Sequence, residues 1–164
     1  MKKSLRKRLR MPIISDTSPL ILLKKTGGIY LLEELFNEVV IPLQVQKELY
    51  VREEHYFSRI KFLKVQNPKK ELFKILLLTL DEGEAGAIAL AIEHGLPLLI
   101  DDLKGRKTAK QLGLKYIGTL GILKIAKNRK IISEVRPFIE KLLRSGYYIS
   151  PKLVEKFLRE MEEF

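Results

Sequence analysis

The feature that most constrains this chain is an alternation, repeated five times, of short apolar β-branched runs with longer segments of helical periodicity. Runs this short are too brief for a buried helix, and branching at Cβ favours the pleated strand, so each reads as a strand. The segments between them are long enough to carry the crossovers that parallel strands need. Together they predict an α/β fold, a three-layer α/β/α sandwich around a central parallel sheet of about five strands. Strands are expected at residues 12–15, 38–41, 62–65, 96–100 and 115–118. Helices are expected at 19–25, 29–36, 43–56, 70–80, 82–94 and 104–112, with three more at 120–128, 134–144 and 151–161 after the last strand. Pro42 stands where a helix begins, Gly95 and Gly113 where helices end, and Ser150-Pro151 pairs an N-cap with proline at the first helical position.

At 164 residues the chain has the length of one domain and can bury a core without disulfides. The expected division is a basic arm over residues 1–10 and a single domain over 11–164. Six of the net +11 charges fall in that arm, which leaves +5 for the domain. Cysteine is absent and there are two histidines, so thiolate zinc sites and cysteine nucleophiles are excluded and any metal must be held by oxygen. No apolar run approaches the roughly 18 residues of a membrane span, and the basic start lacks a signal-peptide apolar region. A cytoplasmic protein is expected.

In an open parallel sheet, ligands bind beyond the carboxyl ends of the strands, so a polar residue directly after an apolar run marks the place to look. Asp16 follows Ile13-Ile14-Ser15, and Asp101-Asp102 follow Leu98-Leu99-Ile100. Capping the next helix is the plainer use of each aspartate. Glu84 is harder to dismiss, because it stands in helical register with Ile88 and Ala91, on a face that should be buried. A buried acid is costly unless a cation or donor meets it. The small residues Ala85, Gly86, Ala87, Ala89 and Ala91 would let its helix come close to the sheet. A first-turn acid can also complement the helix dipole, a role that Asp81 and Glu82 already fill. Glu48 lies one turn after Val45, at the edge of a buried face. Acids converging from four segments would form an oxygen-only cluster suited to Mg²⁺ or Mn²⁺.

Between Asp102 and Glu134 there is no acid, but there are nine basic residues, among them Arg106, Lys107 and Lys110. An acidic pocket beside a basic segment is what phosphodiester cleavage requires, although a solvated surface in a lysine-rich protein would look the same.

The segments Ile14-Ser15-Asp16-Thr17-Ser18-Pro19, Val39-Val40-Ile41-Pro42 through Glu48, Leu80-Asp81-Glu82-Gly83-Glu84-Ala85-Gly86, Ile100-Asp101-Asp102 with Gly105-Arg106, and Gly118-Thr119-Leu120-Gly121 resemble a PIN-like family, DUF3368, related to VapC-type toxin ribonucleases. The closing Ser145-Gly146-Tyr147-Tyr148-Ile149-Ser150-Pro151 is similar too, so the resemblance covers the chain from about Pro12 onward. It implies that Asp16, Glu48, Glu84 and Asp101 or Asp102 are catalytic carboxylates, with Asp16, Glu84 and Asp101 or Asp102 on the metal. It places Ser18 and Thr119 as hydroxyls near the site. PIN toxins usually carry Asp where this chain has Glu84, and Thr-x-Asp where it has Ile100-Asp101-Asp102.

The expected function is metal-dependent hydrolysis of RNA phosphodiester bonds, with Mg²⁺ or Mn²⁺ as cofactor and Arg106, Lys107 and Lys110 holding the RNA. The resemblance also implies the toxin role, an antitoxin protein as partner, and a homodimer, for which the terminal helix offers Leu153, Val154, Phe157, Leu158 and Met161 as an apolar stripe. An aspartate-nucleophile phosphohydrolase would need a second Asp where Ser18 stands, and no Gly-x-Gly-x-x-Gly follows the first strand. The competing reading is a PIN-like protein that binds nucleic acid or a partner and cleaves weakly or not at all. His55 and His94 read as surface residues.

Overall fold

The computed structural model describes residues 10–164. The basic arm expected at residues 1–10 lies outside them except for Arg10, whose guanidinium donates to the carbonyls of Glu33, at 2.8 Å, and Glu34. The chain runs β1 (Ile13–Ser15), α1 (Thr17–Thr26), α2 (Ile29–Leu35), β2 (Val39–Pro42), α3 (Leu43–Glu53), β3 (Leu63–Gln66), α4 (Lys70–Leu76), α5 (Glu82–His94), β4 (Leu98–Leu99), α6 (Leu103–Gln111), β5 (Tyr116–Ile117), α7 (Thr119–Asn128), α8 (Arg136–Arg144) and α9 (Pro151–Glu160). All five strands are parallel, in the order β3-β2-β1-β4-β5. The α/β/α sandwich expected from the alternation is therefore present.

Strand residues alternate between two cores, as a period of two requires. Ile13, Val39, Ile41 and Leu99 pack with residues of α1, α2, α3, α7, α8 and α9. Ile14, Val40, Leu98 and Ile100 face α5 and Ala109 of α6. β1 and β2 are buried at every position because both of their faces are covered. Edge strand β3 exposes Lys64, Val65 and Gln66, and the lysine discourages edge-to-edge pairing. Among the described residues, no helix is long and apolar enough to cross a membrane.

Several helix boundaries differ from expectation for local reasons. α1 begins at Thr17, so Pro19 sits in its first turn, where its missing N–H costs nothing. α3 stops at Glu53 because Glu54 turns to φ 52, after which a 3₁₀ turn at Phe57–Arg59 buries Phe57. Gly95 ends α5 in the left-handed region, and the Ser150 hydroxyl accepts from the Leu153 N–H at 3.2 Å to open α9. Most of the apolar stripe of α9 is spent inside the chain: Phe157, Leu158 and Met161 are buried and Val154 packs against the same core, while Leu153 is exposed.

α8 starts at Arg136 rather than at 134, and a distant residue makes its first turn. The carboxylate of Glu163 accepts from the Val135 and Arg136 N–H groups, at 2.8 and 3.0 Å, and from Lys127 at 2.8 Å. Against the penalty of burial, the Lys127 ammonium and these two N–H groups hold Glu163 below the usual carboxylate range. Its depressed pKa contributes stability above the ordinary carboxylate pKa, and that stability is lost as pH falls through the folded value. Glu163→Gln is expected to cost about 1–3 kcal/mol at pH 7 and much less at a pH below the folded pKa of Glu163. Urea midpoints at the two pH values check this.

Candidate active site at the switch point of the sheet

Strand order reverses between β1 and β4, and the crevice beyond their carboxyl ends is where an open parallel sheet binds ligands. Asp16 leaves β1 there, and its N–H donates to the Leu99 carbonyl of β4 at 3.0 Å. It occupies the N-cap position of α1 but accepts no capping hydrogen bond, so its carboxylate is not engaged in ending the helix. Asp16 is 6% exposed. Burial, with Asp81, Glu48 and Asp102 close enough to repel it, pushes its carboxyl up to about 7, opposed in part by the Thr17 N–H.

Glu84 reaches the same place from α5. Its residue is 9% exposed. Desolvation raises its carboxyl to about 8, aided by a hydrogen bond to Asp81 and by the charges of Asp81, Asp102 and Asp16. The helix can bring an acid inward because it lacks side chains where it meets its neighbours. A Cβ on Gly86 would stand 2.9 Å from Pro42 Cβ at the end of β2. A Cβ on Gly83 would stand 3.2 Å from Asp16 Oδ1 and 3.5 Å from Glu48 Oε2, which puts both carboxylates against one face of α5.

Asp81 belongs to this cluster, although its sequence position points to helix capping. It does cap α5, accepting from the Glu84 N–H at 2.8 Å, and its charge acts on both Asp16 and Glu84. The neighbouring pair separates into two roles. Asp102 caps α6 through the Gly105 N–H at 2.9 Å, and its charge raises both Asp16 and Glu84. Asp101 turns the other way, accepting from the Thr119 N–H at 2.8 Å and the Thr119 hydroxyl at 2.6 Å.

The donor set is made of carboxylate oxygen, and among the described residues no lysine or arginine forms an ion pair with any of these acids. Such a set fits a hard divalent cation, whose charge would relieve the repulsion. Among the described residues, no three acids are gathered into a ready metal-binding group. The acids share a region and act on one another there, but they do not yet form a closed cage.

A cleft of about 570 Å³ opens between α6, α7 and α9, with Asp101 and Thr119 in its wall but none of the acids that act on Asp16 and Glu84. Arg106 lines it, the guanidinium 5.3 Å from the Tyr116 ring centroid. Lys107 and Lys110 are exposed on α6 and do not line it. Ser18 is exposed and lines a smaller cleft, about 230 Å³, with Lys25, Arg52 and Tyr147. Thr119 is buried and holds Asp101. Tyr147, Tyr148 and Lys156 also line the larger cleft; the two tyrosines belong to the closing segment that resembles the PIN-like family, but nothing in the sequence marks them or Lys156 as site residues. A wider groove of about 680 Å³ between α3 and β3 has a mainly apolar wall that includes Leu43, Tyr50, Val51 and Val65, and none of the clustered acids lines it. His55 and His94 are exposed.

A family model described as DUF3368, a PIN domain, matches residues 12–163. No curated protein matches the chain.

Proposed function

The chain belongs to the PIN-domain family, whose members point to nuclease activity, and from that premise we propose that it is a metal-dependent ribonuclease hydrolysing RNA phosphodiester bonds. The supporting observation is the pair of buried carboxylates, Asp16 and Glu84, crowded by Glu48, Asp81 and Asp102 and, among the described residues, without a lysine or arginine paired to them. Burying charge in this way costs stability and recurs where a site needs it.

On this reading Asp16, Glu84 and Asp102 would hold one or two Mg²⁺ or Mn²⁺ ions, and Asp101 fixes the start of α7 through Thr119. The cation, when bound, supplies charge neutralisation at the phosphoryl oxygen and acidifies a water for attack. Glu48, exposed and near Asp16 across Gly83, would act as the proton acceptor. Arg106, Lys107 and Lys110 would hold flanking phosphates, and Ser18 would contact the strand on the side of Lys25 and Arg52. The same proposal extends to a cytoplasmic toxin with an antitoxin protein and a homodimeric state. A monomer in sedimentation at high concentration would remove the homodimer.

The test is cleavage of RNA with Mg²⁺, with Mn²⁺ and with chelator. Activity is expected with either metal, and Asp16→Asn is expected to reduce it at least about 100-fold. Cleavage that survives both chelation and substitution would sink the proposal. The ungathered state of the acids favours a second reading, a PIN-like nucleic-acid binder with weak or no cleavage. Metal-independent RNA binding with no cleavage would select it.

A further inference from the structure

We propose that the cleft between α6, α7 and α9 is a nucleobase pocket, in which one base of a single-stranded RNA stacks against Tyr148 on a wall shared with Asp101. This inference rests on the ribonuclease reading and names a subsite for its substrate.

The cleft's volume of about 570 Å³ lies within the range that small-molecule sites occupy, and its wall combines an apolar floor with aromatic and basic groups. Leu142, Ile149 and Phe157, all buried, belong to that wall. Tyr148 stands at the rim with 80% of its surface exposed, which is costly for a ring and leaves its face open for stacking. Tyr147 lines both this cleft and the smaller one containing Ser18, and shares the wall of the larger with Asp101. The wall carries Arg106, Lys124 and Lys156 for phosphates on either side of a stacked base. Of these, Lys124 is paired with Glu160 and Arg106 lies over Tyr116. A groove meant for duplex backbone alone would have no use for an exposed ring above an apolar floor.

The test exploits the absence of tryptophan from the chain. In Tyr148→Trp, titration with short oligoadenylate in chelating buffer is expected to quench tryptophan emission saturably. An abasic ribose-phosphate chain of equal length should not quench it. Tyr148→Ala is expected to weaken oligoadenylate binding roughly 5- to 100-fold while leaving the abasic chain and the salt dependence unchanged. Equal quenching by both ligands, absence of quenching, or equal loss of both affinities would overturn the inference. Cleavage that requires metal and Asp16 without any base-dependent quenching sinks the pocket and leaves the nuclease standing. Base-dependent quenching in a protein whose cleavage ignores Asp16→Asn sinks the nuclease and leaves the pocket.

Discussion

Asp16→Asn is expected to stabilise the metal-free protein at pH 8 while it removes catalysis. In the native state Asp16 titrates at about 7 and Glu84 at about 8, against 3.8 and 4.5 for the unperturbed groups. Between those limits the unfolded chain has released protons that the native state still holds. Stability is therefore full below about pH 4 and falls as pH rises to about 8. At 1.36 kcal/mol per pKa unit, the Asp16 shift alone corresponds to about 4 kcal/mol. Asparagine still buries a polar group, so the expected gain is about 2 kcal/mol, several degrees in Tm for a domain of this size. Near pH 4, where the Asp16 penalty is gone and the cost of burying the amide remains, the variant should be less stable than wild type by about 2 kcal/mol. Mg²⁺ should raise the wild-type midpoint at pH 8 and leave the variant nearly unmoved, because only a native-state ligand adds stability by mass action. Equal melting temperatures at pH 8 would show that Asp16 carries no electrostatic load.

Gly118→Ala is expected to destabilise the protein by displacing Asp101. Its Cβ would lie 2.6 Å from Asp101 Oδ1, closer than any carbon–oxygen contact permits. Asp101 would have to leave, losing the N–H and hydroxyl of Thr119, whose side chain is buried. Charge-assisted hydrogen bonds contribute about 1.5–3 kcal/mol each, and a stranded buried hydroxyl adds to the loss, so a cost of about 3 kcal/mol is expected. Thr119→Ser keeps the hydroxyl and should cost far less. A Gly118→Ala midpoint within about 0.5 kcal/mol of wild type would mean that the Asp101 contact does not hold the start of α7.

Asp16, and Asp101 which Gly118→Ala would displace, are found in the sequence for the same reason: each follows a strand end. Asp16 and Asp102 betray themselves as acids directly after apolar runs, and Glu84 as an acid on an apolar helical face. Those patterns are local, so they survive without a structure. Asp81 does not stand out, because helix capping fully explains it until folding brings the start of α5 beside β1. Part of the acid-free stretch after Asp102 is paired in the fold. Lys124 and Lys127 find their counter-charges in Glu160 and Glu163, and that pairing across 36 residues has no signature in a linear charge pattern. The apolar stripe of α9 is equally legible as a dimer seam or as core, and only the packing of Phe157 and Met161 decides between them. The end of α3 depends on one residue at φ 52, which composition does not encode.

The bare faces of Gly83 and Gly86 have a bearing on how such a site could change. The gap between α5 and the ends of β1 and β2 is set by what those two positions lack, since a methyl at either meets Asp16, Glu48 or Pro42 within 3.5 Å. The aperture is thus written in glycine, and the carboxylates merely line it. On the proposed reading, preference among divalent ions of different radius is tuned most finely from residues that never touch one. A selection for a nuclease driven by a larger ion would find its first solutions at 83 and 86, with every acid left in place.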